Sequence, residues 1–323
     1  MLLPTLPSLE INPGKRVLVR ADLDLSTEAL VRVDEIFRLK TLIPTLQYLT
    51  EKRAKIIIIG HIGRPDGKVV ESMGLKPVED KLREMVPNIE FEMLENLRFD
   101  PGEESNSPEF ARKLASQGDF FVNEAFATSH RAHASIVGIP KLLPHAAGLR
   151  FAEEVTNLDK VLDNPPRPVL AIISGVKRDK LDYLSDFEKF CDRVLIGGRL
   201  PEYLKEDFRD QKVVVAKLLQ DKEDITLNTI DDFKAEIAKA KTIILAGALG
   251  KYEDEGHRQG TKEIFEAVAN ASGYKIVGGG DSLMVVSMFK LESNFNWVSV
   301  GGGAMLEFLA KGTLPGIEAL KDS

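Results

Sequence analysis

Residues 123–135, NEAFATSHRAHAS, set His130, Arg131 and His133 side by side in a chain with only five histidines. They follow the apolar run DFFVNEAF. Asp22 and Asp24 likewise end or follow KRVLVRAD, and His61 and Arg64 lie in GHIGRPDGK after AKIIIIG. LENLRF adds Arg98, and Arg38 stands at the predicted start of the helix containing RLKTLIPTL. Arginine offers a planar fork that binds carboxylate or phosphate through two parallel hydrogen bonds. One such arginine reads as a solvated ion-pair partner. Four of them, at positions 38, 64, 98 and 131, read as a site for a small, multiply charged anion. The histidines show no H-x-x-x-H or Cys/His spacing, so a transition-metal site is not expected.

The second half carries different chemistry. SGVKRDK offers Lys177 and Lys180 beside a glycine, and IGGR contains Gly197 and Gly198. VGGGDS and VGGGAM are glycine runs that enter apolar helices. Glycines admit a phosphate close to the backbone, where a helix N-terminus offers unpaired N–H groups and a favourable dipole. Asp281 in the first run suits an N-cap, an oxygen ligand for Mg²⁺, or both. Neither GxxxxGK[ST] nor GxGxxG occurs, which weighs against a P-loop ATPase and a standard dinucleotide dehydrogenase. Two anion sites on separate domains, meeting on closure, are the layout of phosphoryl transfer with water excluded.

The elements that must position these groups are legible as β-branched runs over 15–22, 54–60, 119–126, 168–175, 193–198, 212–216, 241–247 and 274–280. Segments with apolar residues three and four apart lie between them. Near-continuous apolar strands alternating with helices predict α/β architecture, with two Rossmann-like domains and parallel sheets covered on both faces. Residues 151–168, FAEEVTNLDKVLDNPPRP, read as an exposed helix ended by prolines and as the hinge. Expected domains are 1–152 with a returning tail from about 305 to 323, and 153–304.

Composition narrows the partners. The 323 residues are 43% hydrophobic with net charge −7 and pI about 5.5, so a generally basic surface for nucleic acid or anionic membrane is not indicated. The single cysteine, Cys191, rules out an internal disulfide framework. No leader pattern and no run long enough for a bilayer is visible, so a cytoplasmic monomer without nucleic-acid or membrane partners is expected.

Taken in order, RVLVRADLDL, GHIGRPDGK, LENLRFDPGEE, VNEAFATSHRAHAS, IVGGGDS and VGGGAMLEFLAKGTLPGIEAL resemble the signatures of phosphoglycerate kinases along nearly the whole chain. The resemblance implies a triose-binding N-terminal domain and a nucleotide-binding C-terminal domain. It implies phosphate transfer between 1,3-bisphosphoglycerate and ADP, with Mg²⁺ as cofactor and ATP, ADP and 3-phosphoglycerate as substrates. By that resemblance Asp22, Asp24, Arg38, His61, Arg64, Arg98 and Arg131 bind the triose. Lys177, Lys180, Gly197, Gly198, Glu253, Gly279, Gly280, Asp281 and Ser282 bind nucleotide, and Asp281 is linked to the metal. Arg38, Lys180, Gly280 and Gly303 form the catalytic set.

The chain departs from the family pattern at several points. Asp24 stands for the family's Asn, KRDK is a residue short of KVSDK, and AGALG replaces NGPMG. Gly198 and Ala246 are 48 positions apart, about half the family's separation, and the missing part includes a DIGP-like motif of the adenine pocket. These departures keep two other readings open: a phosphoglycerate-binding homologue without productive nucleotide binding, and a kinase with altered specificity.

Overall fold

The computed structural model describes residues 3–25, 33–205 and 207–321. The few remaining positions inside the expected domain boundaries lie outside the described residues. The chain divides into two units, Met1–Thr156 with Thr313–Ser323, and Asn157–Gly312.

The first unit holds a five-stranded sheet of β1 (Arg16–Arg20), β2 (Lys55–Ile59), β3 (Phe91–Met93), β4 (Phe120–Asn123) and β5 (His145–Ala147), in the order β3-β2-β1-β4-β5. Its helices are α1 (Val33–Glu51), α2 (Lys76–Met85), α3 (Pro101–Glu104), α4 (Pro108–Ala115) and α5 (Leu149–Leu162). The second unit holds β6 (Val169–Ile173), β7 (Arg193–Ile196), β8 (Val213–Val215), β9 (Thr242–Ala246), β10 (Tyr274–Gly278) and β11 (Trp297–Ser299), ordered β11-β10-β9-β6-β7-β8. Around them lie α6 (Leu184–Phe190), α7 (Leu227–Ile237), α8 (Gln259–Asn270), α9 (Gly280–Met288) and α10 (Gly303–Lys311). The closing helix α11 (Pro315–Lys321) belongs to the first unit, where Gly316 donates its N–H to Ser129 O at 2.9 Å.

The strand pairs of both sheets are parallel, as the runs of β-branched residues predicted. All five side chains of β6 and of β9 are buried, because helices cover both faces. The eight predicted strands are present, somewhat shorter at their ends. Three further strands, β3, β5 and β11, were not visible in the sequence. Each has three residues and lies at a sheet edge, where one neighbour suffices and no long apolar run is needed.

Two local expectations need correction. The 151–168 segment is not a fully exposed helix: Phe151, Val155, Leu158 and Val161 on α5 are buried. Their spacing of three and four residues forms an apolar stripe along one face. The division between the units also falls inside this helix, after Thr156. Arg38 is the sixth residue of α1 rather than its first. The helix already runs from Val33.

Candidate functional site

In an open α/β sheet the binding crevice opens where the strand order reverses, beyond the carboxyl ends of the strands. In the first unit that place lies between β1 and β4. Asp22, just past β1, accepts bonds from Ala127 N (2.8 Å) and Thr128 Oγ1 (2.9 Å) in the loop after β4. It therefore staples the two sides of the crevice. Burial pushes its carboxyl up from the usual range, while Arg38 and Arg20 pull it back down.

Arg20, the last residue of β1, is fully buried, and its role was not visible in the sequence. Its guanidinium donates to Ser135 Oγ (2.9 Å), to the Ala21 carbonyl and to His61 Nδ1 (2.7 Å). A guanidinium only donates, so His61 Nδ1 must accept and its proton sits on Nε2. Burial, with Arg20, Arg98, His133 and Arg131 nearby, holds His61 well below the ordinary imidazole range. The relay continues through Ser135, whose hydroxyl and N–H both donate to the buried Glu103. His133 Nδ1 stands 3.8 Å from Glu103 Oε1 and is buried without a hydrogen-bond partner. Burial, reinforced by Arg98, Arg20 and Arg131, pushes His133 down to about 3. His61 and His133 are thereby held toward the neutral form, and the arginines carry the charge. A short continuous apolar run, Val17 to Val19, ending in arginine gave the only sequence signal for Arg20, and that pattern alone reads as a strand end.

The other positions expected to bind the triose vary in their freedom. Arg98 is buried, donating from Nη1 to Gly63 O (2.6 Å), with Nε 3.2 Å from Glu104 Oε1. Arg38 is half-buried and donates from Nη1 to the Asp24 carbonyl at 2.9 Å. Asp24 is exposed; its Oδ1 accepts from Gly63 N at 2.8 Å and its Oδ2 lies 3.8 Å from His61 Nε2. Arg131 is half-buried and Arg64 exposed. Asp22, Arg38, Arg98 and Arg131 all act electrostatically on groups of this cluster. Arg64 extends from the loop after β2.

In the second unit the order reverses between β6 and β9. Lys180 bridges this point, its Nζ donating to Ser174 O (2.5 Å) beyond β6 and to Ala246 O (3.3 Å) at the end of β9. Burial brings its ammonium down to about 8, and Asp281 and Asp179 oppose the shift. Gly247 next to it has φ +107°, and a Cβ there would lie 2.1 Å from Ser174 O and 2.6 Å from Lys180 Nζ. Only glycine fits. Lys177 is exposed at the start of the following turn.

Both glycine runs end as helix starts. Gly279 precedes α9 with φ +106°, and Gly280, exposed Asp281 and buried Ser282 form its first turn. Ser282 Oγ accepts from Gly247 N at 2.8 Å, tying α9 to β9. Gly302 precedes α10, whose first residue, Gly303, is exposed. A Cβ on Gly302 would come within 2.9 Å of Gly279 Cα, so the two glycine runs touch backbone to backbone. Two helix N-termini therefore lie close together, which favours a phosphate.

A cavity of about 530 Å³ opens in this unit. Gly175, Gly198, Glu253 and Asp281 line it, and Val176, Leu249 and buried Tyr252 supply apolar wall. Gly197 sits buried just beside Gly198. The shortened segment contributes Lys222 and Glu223, which the sequence reading did not single out. A second depression of about 610 Å³, between α7 and α8, is lined mainly by charged side chains and holds none of the predicted residues. Among the described residues no group of three or more His, Cys, Asp or Glu could hold a metal. The lone exposed Asp281 suits Mg²⁺, which commonly takes one or two carboxylates with substrate phosphates.

The family description "Phosphoglycerate kinase" matches residues 9–93, 87–207 and 202–312. A phosphoglycerate kinase of Dictyoglomus turgidum is 35% identical over 382 aligned positions, covering 96% of each chain. One from Moorella thermoacetica is 34% identical, covering 98% of this chain and 99% of its own. The 382 positions exceed the 323 residues here, so the alignment carries gaps opposite the relative's extra residues. The structure of phosphoglycerate kinase from Coxiella burnetii superposes with TM-score 0.81 at 28% identity, covering 99% of both chains. The Pyrococcus horikoshii phosphoglycerate kinase, at 23% identity and TM-score 0.85, shares the fold. Matched over nearly its whole length and built as two parallel-sheet units, the chain belongs to the phosphoglycerate kinase family.

Proposed function

We propose that the chain is a compact phosphoglycerate kinase. The observation that carries this reading is the arginine cluster around neutral His61 and the stapling Asp22, at the switch point of the first sheet. In the direction of ATP synthesis, a β-phosphate oxygen of ADP attacks the acyl phosphorus of 1,3-bisphosphoglycerate. The bond from phosphorus to the carboxyl oxygen breaks, and 3-phosphoglycerate leaves as a carboxylate. Such a transfer needs positioning and charge neutralisation rather than a covalent enzyme intermediate.

Arg98 and Arg131 neutralise the triose anion, Asp22 keeps the crevice in shape, and His61 Nε2–H donates a hydrogen bond to it. Arg38 stabilises the charge on the transferring phosphoryl group, and Arg64 adds a further guanidinium at the triose side. In the second unit the exposed Lys177 and the N-termini of α9 and α10, with Gly280 and Gly303, receive the nucleotide phosphates. Lys180 ties the β6 and β9 ends there and adds its ammonium to the phosphate site. Glu253 faces the ribose, and closure of the two units brings the substrates together. Mg²⁺, held through Asp281, would offset charge on the phosphates.

A second reading is a phosphoglycerate-binding protein without productive nucleotide binding. The engagement of Lys180 by two carbonyls favours it. A coupled assay with ATP, Mg²⁺ and 3-phosphoglycerate separates the two, alongside Arg38→Ala. The kinase reading expects turnover that falls by about a thousandfold in the variant with little change in triose affinity. Absence of turnover in a folded protein that still binds 3-phosphoglycerate refutes it.

A further inference from the structure

The turn 219–224 belongs to the segment that is about half as long here as in the family pattern. It is tight: an antiparallel bridge joins Leu218 to Ile225, Leu219 N donates to Asp224 O, and Lys222 adopts φ +63°. Its base is anchored twice. Buried Asp224 accepts from Gly260 N (2.9 Å) at the start of α8, and Lys251 N donates to Glu223 O at 2.8 Å. Its tip has a different tie. His257 bridges Asp221 through Nε2 and Asp254 through Nδ1, both at 2.9 Å. Each carboxylate is itself aimed by a backbone N–H, from Glu223 to Asp221 and from Gly256 to Asp254.

On a surface, a histidine between two carboxylates usually does little. Here the carboxylates come from the two segments whose next residues line the 530 Å³ cavity: Lys222 and Glu223 on one side, Lys251 and Glu253 on the other. We propose that His257 is a positioning residue for nucleotide binding, because its bridge holds the 219–224 turn as a wall of that cavity. The proposal rests on the nucleotide reading of the cavity.

Both ring nitrogens face carboxylates, so the bridge is complete only in the imidazolium form, in which both nitrogens donate. The charged groups facing the ring are Asp221 and Asp224 of the turn and Asp254 of its own loop, and the bonds to Asp254 and Asp221 raise its pKa. The bridge is therefore fully present below the ordinary imidazole value of about 6.5 and is lost as pH rises through the raised value.

The test is calorimetric titration of the full chain with Mg·ADP from pH 6 to 9.5, for wild type, His257→Ala and His257→Gln. The ratio of variant to wild-type dissociation constants cancels the titration of Lys180 and of the nucleotide phosphates. The expected ratio is about fivefold at pH 6, shrinking toward one by pH 9. Affinity for 3-phosphoglycerate should be unchanged in both variants. In ligand-free protein at pH 6, amide exchange at 221–224 should quicken in both. A ratio of one at pH 6, a ratio that stays flat with pH, or unchanged exchange overturns the proposal while leaving the kinase reading intact. A wild type that binds no Mg·ADP overturns the nucleotide reading, and the proposal with it.

Discussion

Arg20→Lys tests whether the buried arginine organises the crevice proposed to bind the triose. Arg20 is fully buried and satisfies three acceptors: Ser135 Oγ, the Ala21 carbonyl and His61 Nδ1. Lysine keeps the charge that faces Glu103, Asp22 and Asp24 but presents a single nitrogen in place of a fork. Each lost bond costs about 1 kcal/mol net, and a buried acceptor left without a donor costs about 1–3 kcal/mol. Losing two of the three contacts should therefore cost about 3 kcal/mol. A domain stability of roughly 5–15 kcal/mol tolerates that, so the variant should fold. Urea unfolding measures the loss. The functional consequence follows from the histidine: without a fixed donor at Nδ1, the ring no longer holds its proton at Nε2. Long-range ¹H–¹⁵N NMR should then show mixed tautomers at His61, and 3-phosphoglycerate should bind about tenfold more weakly, equivalent to one lost hydrogen bond. A variant destabilised as expected but with His61 still in one tautomer and triose affinity intact would refute the positioning role.

Two further predictions concern buried groups that titrate. Burial pushes Glu124 up to about 7 against its bonds from Thr45, Phe151 and Arg150, which favour the charged form. Its folded value is raised, so the stability it contributes is complete below about pH 4.3 and is lost as pH rises through about 7, a change of about 3–4 kcal/mol. Glu124→Gln should remove that slope in denaturant titrations between pH 4 and 7.5; parallel profiles for the two proteins would contradict it. Lys180 has a value of about 8, so bound phosphate should draw a proton onto it. Titration of Mg·ADP at pH 8.5 in buffers of different ionisation heat should show uptake of about half a proton, absent in Lys180→Met. Equal uptake in both would remove Lys180 from the phosphate site.

The sequence carried the sheets well and the wiring of the site poorly, for different physical reasons. Runs such as KIIII and VLAII announce parallel strands because burial on both faces demands apolar residues at every position. The strand ends then follow, and with them Asp22 and Lys180 at the two reversal points and His61 just beyond β2. What stayed hidden were relations set by side-chain geometry across distant segments. Arg20 and Ser135 lie 115 positions apart, and no periodicity links them. The neutral state of His133 is equally illegible, since it depends on burial beside arginines rather than on its neighbours in HRAH. The cavity wall at Lys222 and Glu223 escaped notice because a shortened segment advertises what it lacks. Its remaining turn looks in sequence like any polar connection.

Asp24 is the departure whose meaning the geometry changes most. A carboxylate in place of an amide adds a negative charge where a triose anion should bind. Its Oδ1 accepts from Gly63 N, a bond that an amide oxygen would make equally well. The added charge is felt by Arg20 and Arg98, so it offsets part of the cluster's positive field. Asp24→Asn should therefore preserve the loop after β2 while increasing attraction for 3-phosphoglycerate. The side chain is half exposed, with 50% of its surface accessible, so solvent screens the effect. An affinity gain of about fivefold at low salt, shrinking toward nothing by 0.5 M, is the expected size. Turnover at saturating triose should hold, since Arg38 reaches the Asp24 backbone carbonyl rather than its side chain. The measurement is triose affinity across ionic strength for the two proteins. Tighter binding that persists at high salt would mean that the amide acts as a hydrogen-bond donor to the ligand. Weaker binding would mean that the carboxylate orders His61 or Gly63 more than it repels the substrate, and the charge argument would fail.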